Sequence, residues 1–224
     1  MLRITDVVRH LLIINVLMFL GTNLMGTVDS DTFLSLVNYP DAARFMDWQR
    51  SILAVFFPTS VYFQPYQLVT HMFMHGDLTH LIFNMFGLFM FGSAVEATWG
   101  PKRFLFYYFF TGFGALALHM LVQYLEITYG TVSPYAINVP MLGASGAVFG
   151  LLAAFGMLYP NMRIMLLFPP IPMKAKYFVI IYAAIELFMG LGGFQAGVAH
   201  FAHLGGALFG VLLIMYWRKF GTNL

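Results

Sequence analysis

Six apolar stretches, at about 6–22, 78–98, 103–124, 144–159, 177–191 and 200–217, limit what this chain can fold into. Each is near the roughly 20 residues that a helix needs to cross bilayer hydrocarbon. Backbone in lipid must satisfy its own hydrogen bonds, which a helix does and an open strand does not. The expected fold is all-α: a polytopic membrane protein of six transmembrane helices, in one domain over 1–224. Of the 224 residues, 60% are hydrophobic and only 9% charged, against about 25% charged in a soluble domain.

Several function classes drop out. The net charge is +2 and no basic stripe is present, so nucleic acid is not an expected partner. The absence of cysteine removes disulfides, thiolate metal sites and thiol nucleophiles. No cofactor is expected. Arg3 and Arg9 before the apolar run Leu11–Gly21 resemble a signal peptide, but no small-x-small cleavage site follows, and the run reads as a retained first span. The connection from about Asn23 to Asp77 is long and carries Asp29, Asp31, Asp41 and Asp47, whereas the others are short.

Six spans put both termini on one side. Arg3, Arg9, Lys102, Arg103, Arg163, Lys174, Lys176, Arg218 and Lys219 then share that side, and only Arg44 and Arg50 lie opposite. That asymmetry makes both termini cytoplasmic and turns the long first loop outward. At about 1.5 Å per residue, Ser145 stands roughly 24 Å above the cytoplasmic end of its helix, with His203 and Asn84 each about 22 Å above theirs. Three polar side chains on three helices thus fall at one depth, a few Å below the outer surface of a core about 30 Å thick.

Ser145 lies in Gly143-Ala144-Ser145-Gly146 at the outer, N-terminal end of the short fourth span. Unpaired N–H groups and a positive dipole end meet there, which suits the oxyanion formed when a serine attacks a carbonyl. The plainer alternative is a serine N-cap. His203 shares a helical face with Gly206 and Gly210, and the fourth span carries Gly146 and Gly150. Such spacing lets membrane helices approach closely, bringing His203 within reach of Ser145 as a general base. The alternative is a histidine hydrogen-bonded between helices. His200 competes from three residues earlier but ranks second, being nearer the surface.

His80 and Asn84, spaced i, i+4 on the second span, share a face. Both can donate to an oxyanion, or simply bond between helices. His71, His75 and His80 raise the question of metal. No His-Glu-x-x-His exists and Asp77 reads first as a helix N-cap, so no metal is expected.

In this order, His80-x-x-x-Asn84, Gly143-Ala144-Ser145-Gly146 and Ala202-His203-x-x-Gly206-x-x-x-Gly210 resemble the rhomboid intramembrane serine proteases over nearly the whole chain. The resemblance implies a Ser–His dyad without an acidic third member and a site open to the outer face. It also implies cleavage of single-span membrane proteins next to small residues, in the minimal six-helix bacterial form. Two features depart from the family pattern. Tyr66-Gln67 stand where many members have Trp-Arg, and Phe149 stands where a tyrosine is frequent beneath the catalytic histidine. Phe149 can pack on that ring but cannot hydrogen-bond.

The leading reading is therefore a serine endopeptidase acting on transmembrane protein substrates in the lipid bilayer. Ser145 is the nucleophile and His203 the base, with His80, Asn84 and the Ser145 N–H as oxyanion donors. The Met- and Phe-rich fifth span and the loop 192–199 would gate and cap the site. The alternatives are a catalytically inactive relative that binds membrane helices as a chaperone or trafficking factor, and a small transporter with Ser145, His80 and His203 along a polar path.

Overall fold

The computed structural model describes residues 4–24, 52–165, 172–192 and 199–221. Arg3, most of the long first connection, including its four aspartates, Arg44 and Arg50, and nearly all of the loop proposed as a cap lie outside them.

Each of the six apolar stretches is a helix: α1 Asp6–Leu24, α2 Leu78–Trp99, α3 Pro101–Thr128, α4 Ser145–Leu158, α5 Ala175–Leu191 and α6 His200–Lys219. A π-helical turn, Leu88–Gly92, interrupts α2. Among the described residues, α1, α2, α3 and α6 are long and apolar enough to cross a membrane. With 14 and 17 residues, α4 and α5 are shorter. Between these two lies an element that the apolar pattern did not announce, an antiparallel ribbon of β1 Arg163–Met165 and β2 Pro172–Lys174.

Local chemistry sets the helix ends. Asp77 caps α2, its Oδ1 accepting the His80 backbone N–H at 2.8 Å, as an N-cap does. Gly100, at φ +76° and ψ 165°, ends α2, in a region of backbone space that is open to glycine because it has no Cβ. Pro101 then opens α3, where a missing N–H costs nothing.

The described residues fall into two compact units. The first comprises Met1–Arg9, Gly87–His119 and Ser145–Leu224. Helix α4 is apolar on all sides and mostly buried, with α6 as its main neighbour and α5 beside it. A helix of that kind belongs in an interior. Glu96 of α2 receives Thr5 Oγ1 at 2.5 Å and the N–H groups of Val7 and Val8 at 3.0 and 2.9 Å. A carboxylate thereby satisfies the orphan donors that begin α1. Trp99 packs edge-on to Trp217 at 5.4 Å, and the Arg103 guanidinium lies 5.4 Å over Trp217. Aromatics and arginine gathered at helix ends are typical of a membrane–water boundary. Ile180 and Phe188 of α5 are exposed.

The second unit comprises His10–Phe86 and Met120–Ala144. Here Val55 and Met141 exchange backbone hydrogen bonds of 2.9 and 2.8 Å, and Ser60 Oγ bonds Asn138 Oδ1 at 2.8 Å. Gln67, one of the departures from the family pattern, is buried and ties the segment together. Its Oε1 accepts the Gln64 N–H at 3.0 Å, and its Nε2 donates to the carbonyls of Ile52 and Tyr62, each at 3.1 Å.

Candidate active site

Ser145 opens α4, directly after a turn that needs glycine: Gly143 has φ +124°, outside the range that L-residues favour. The Gly143 N–H donates to the His71 carbonyl at 2.9 Å, and His71 Nδ1 lies 2.8 Å from the Gln67 carbonyl. The serine therefore stands at the free N–H end of a helix.

His203, in the first turn of α6, brings its Nε2 to 2.9 Å from Ser145 Oγ. Both side chains are half-buried. The approach of α6 to α4 depends on glycine, since a Cβ at Gly206 would run into the Gly146 backbone. The α4 glycines have a second neighbour. Cβ atoms at Gly146 and Gly150 would meet Ala115 and Thr111 of α3, and one at Gly210 would meet the Tyr107 hydroxyl of α3. That hydroxyl donates to the Gly150 carbonyl at 2.8 Å. The glycines expected to join two helices thus serve three.

Phe149 lies flat against His203, and the stack continues through Tyr182 of α5, at 5.3 Å and 17° from Phe149. Also from α5 comes a residue that the sequence reading passed over. The buried Glu186 places Oε2 2.6 Å from His200 Nδ1 and 3.1 Å from His203 Nδ1. The first contact is a hydrogen bond; at His203 the atoms are close without hydrogen-bond alignment. Its sequence signal was available: Glu186 is the one carboxylate of α5, eleven residues from its start, in a stretch that the apolar pattern reads as a span, where an ionisable group marks function by default.

Glu186, His200 and His203 also form a three-residue group that can hold a metal ion. Its 2.6 and 3.1 Å separations suit hydrogen-bonded pairs better than ligands around zinc, which at bonds of about 2.0–2.1 Å stand about 3.3 Å apart in a tetrahedron.

In the other unit, Asn84 is buried and its Nδ2 donates to the His80 carbonyl at 3.0 Å. His80 Nδ1 accepts weakly from the Gly76 N–H at 3.4 Å, and its ring stands edge-on to His75 at 5.0 Å. Burial, and after it repulsion from His80, lowers the His75 imidazole to about 3.

Residues 62–220 match the family model of the Rhomboid domain. The chain is 33% identical over 153 residues to rhomboid protease AarA of Providencia stuartii, covering 63% of this chain and 52% of that protein. It is 34% identical over 161 residues to rhomboid-like protein 11, chloroplastic, of Arabidopsis thaliana (69% and 53%). It is 30% identical over 168 residues to rhomboid-like protease 3 of Toxoplasma gondii (74% and 57%). The chain spans about half the length of these relatives. A family match across most of the chain, on apolar helices that bring a serine and a histidine together, makes this multi-pass membrane protein a member of the rhomboid family.

Proposed function

We propose that the chain is an intramembrane serine endopeptidase that cleaves single-span membrane proteins. The observation that carries this reading is the 2.9 Å separation of Ser145 Oγ and His203 Nε2 at the start of a short, buried helix. A neutral imidazole at that distance can take the hydroxyl proton as Oγ attacks the scissile carbonyl. The imidazolium then returns the proton to the leaving amine, and water repeats the sequence on the acyl-enzyme. The Ser145 N–H, His80 and Asn84 are the proposed oxyanion donors. At about 1.5 Å per residue, the 14 residues of α4 span roughly 21 Å of a core about 30 Å thick. A serine at its upper end therefore sits below the surface, where water reaches it from one side.

The same reading has all six helices in one domain within an inner membrane, with cytoplasmic termini and a site open to the extracytoplasmic face. Substrates are helices that unwind easily, because a peptide bond inside a regular helix is shielded by its own hydrogen bonds. The test is cleavage of a generic single-span substrate in detergent and in vesicles, together with labelling by a fluorophosphonate, for wild type beside Ser145→Ala. Wild type is expected to cleave and label, and the variant to do neither while folding normally. Equal labelling of the two proteins would sink the assignment of Ser145.

A further inference from the structure

We propose that Glu186 is a positioning residue for His203, its buried carboxylate on α5 fixing the imidazole so that Nδ1 faces α5 and Nε2 faces Ser145. This deepens the protease reading and rests on it. The sequence motifs imply a serine and a histidine acting without an acid, whereas the geometry puts a carboxylate behind that histidine.

One face of α5 makes the arrangement. Tyr182, Glu186 and Gly190 follow at i, i+4 and i+8, on one side of the helix. Tyr182 backs Phe149, which lies under the His203 ring. Glu186 Oε2 reaches His203 Nδ1 and His200 Nδ1 at 3.1 and 2.6 Å. At Gly190 a Cβ would press on His200 Cβ at 3.2 Å and on the Phe201 ring at 3.3 Å. Glycine there lets the start of α6 close on α5, keeping both histidines within reach of one oxygen.

Burial gives the carboxylate its meaning. A carboxylate inside a membrane helix is costly unless paired. The partners of Glu186 are two histidines of α6, so the interaction couples a helix position to a ring orientation. A neutral imidazole carries one N–H and one lone pair. For Nε2 to accept the Ser145 proton, Nδ1 must hold the hydrogen, and a carboxylate beside Nδ1 selects that tautomer. When Nε2 takes the proton, the same carboxylate stabilises the imidazolium, as the buried aspartate of a soluble serine-protease triad does. The hydrogen bond from His200 holds the carboxylate in place. His203 is faced by Ser145 and Phe149 from α4, Tyr182 and Glu186 from α5, His200 on its own helix, and His119 of α3, which is near enough to feel its charge. Of the groups named, Glu186 alone carries negative charge.

The test uses the full chain in detergent, comparing wild type, Ser145→Ala, Glu186→Gln and Glu186→Asp. Four quantities are measured: kcat, KM, thermal midpoint, and the pH dependence of the fluorophosphonate reaction at Ser145. Glu186→Gln, nearly isosteric, is expected to lower kcat at least about tenfold, within the about 10⁴-fold that the amide costs a soluble triad, with KM unchanged. The inflection of its labelling rate moves to lower pH, because the imidazolium loses its counter-charge. Glu186→Asp restores part of both effects. The positioning role is overturned if Glu186→Gln matches wild type in kcat and inflection. It is equally overturned if activity falls only in step with the folded fraction, at an unmoved inflection. Wild type without Ser145-dependent cleavage or labelling would remove the protease reading and this role with it. An active wild type matched by Glu186→Gln removes the positioning role alone.

Discussion

The His203 imidazole and the Phe149 ring lie face to face, with centroids 4.3 Å apart and planes 2° apart. A phenyl face cannot hydrogen-bond to the imidazole, but it limits the ring to rotation in one plane. Both ring nitrogens then stay directed along that plane, one toward α4 and the other toward α5.

Phe149→Leu keeps an apolar side chain of most of the volume and removes the flat face. An aromatic pair contributes about 0.5–1.5 kcal/mol beyond its buried area, so kcat is expected to fall by about two- to tenfold at 1.36 kcal/mol per decade. KM stays unchanged on the proposed reading, in which the ring orients the base and not the substrate. Steady-state kinetics on a single-span substrate check this; a change confined to KM would place Phe149 in substrate binding.

Gly206→Val is expected to inactivate the protein although residue 206 does no chemistry. Its side chain would occupy the place of the Gly146 backbone, which can move only by parting α4 from α6. Displacing reacting groups by about 1 Å can cost about 10²-fold in rate. Valine is well tolerated in lipid, so insertion should persist while the thermal midpoint drops. Activity and thermal stability are measured on the same preparation, and full activity would contradict the close approach of the two helices.

His80→Ala and Asn84→Ala are expected to lower turnover more than affinity. Removing one oxyanion donor costs about 10²–10³ in rate in a soluble serine protease, and the loss here is smaller if three donors share the charge. Asn84 Nδ2 rests on the His80 carbonyl, so it must leave or share that bond to serve. Separate determination of kcat and KM decides the matter: weakened binding at constant kcat would make either residue a substrate contact.

His75 is expected to make the fold acid-sensitive. Its folded value is lowered to about 3, below the ordinary value of about 6.5 that an unfolded chain shows. Above that ordinary value both states are neutral and nothing is lost. As pH falls below it, the unfolded state binds a proton that the folded state refuses, so stability declines by up to about 1.4 kcal/mol per pH unit until the folded value is reached. Thermal midpoints in detergent from about pH 7 to about pH 4.5 should fall for wild type and less steeply for His75→Gln. Parallel curves would assign the acid sensitivity to other groups.

Much of this protein is legible one segment at a time. Apolar length marks all six helices, Asp77 marks the start of α2, and the family motifs single out Ser145 and His203. These features depend on neighbours a few residues apart, through hydrogen bonds and propensities that repeat with the helix. Tertiary structure alone decides what no local period encodes. It determines that Glu186 reaches two histidines 14 and 17 residues further along, that Tyr182 backs the Phe149 stack, and that Gly146 and Gly150 also receive α3. It also decides that Gln67 bonds Ile52 and Tyr62, where the sequence showed only a departure from the family pattern. The physical reason is that a helix sequence specifies which side chains share a face, whereas the partner of that face depends on how the other helices pack around it.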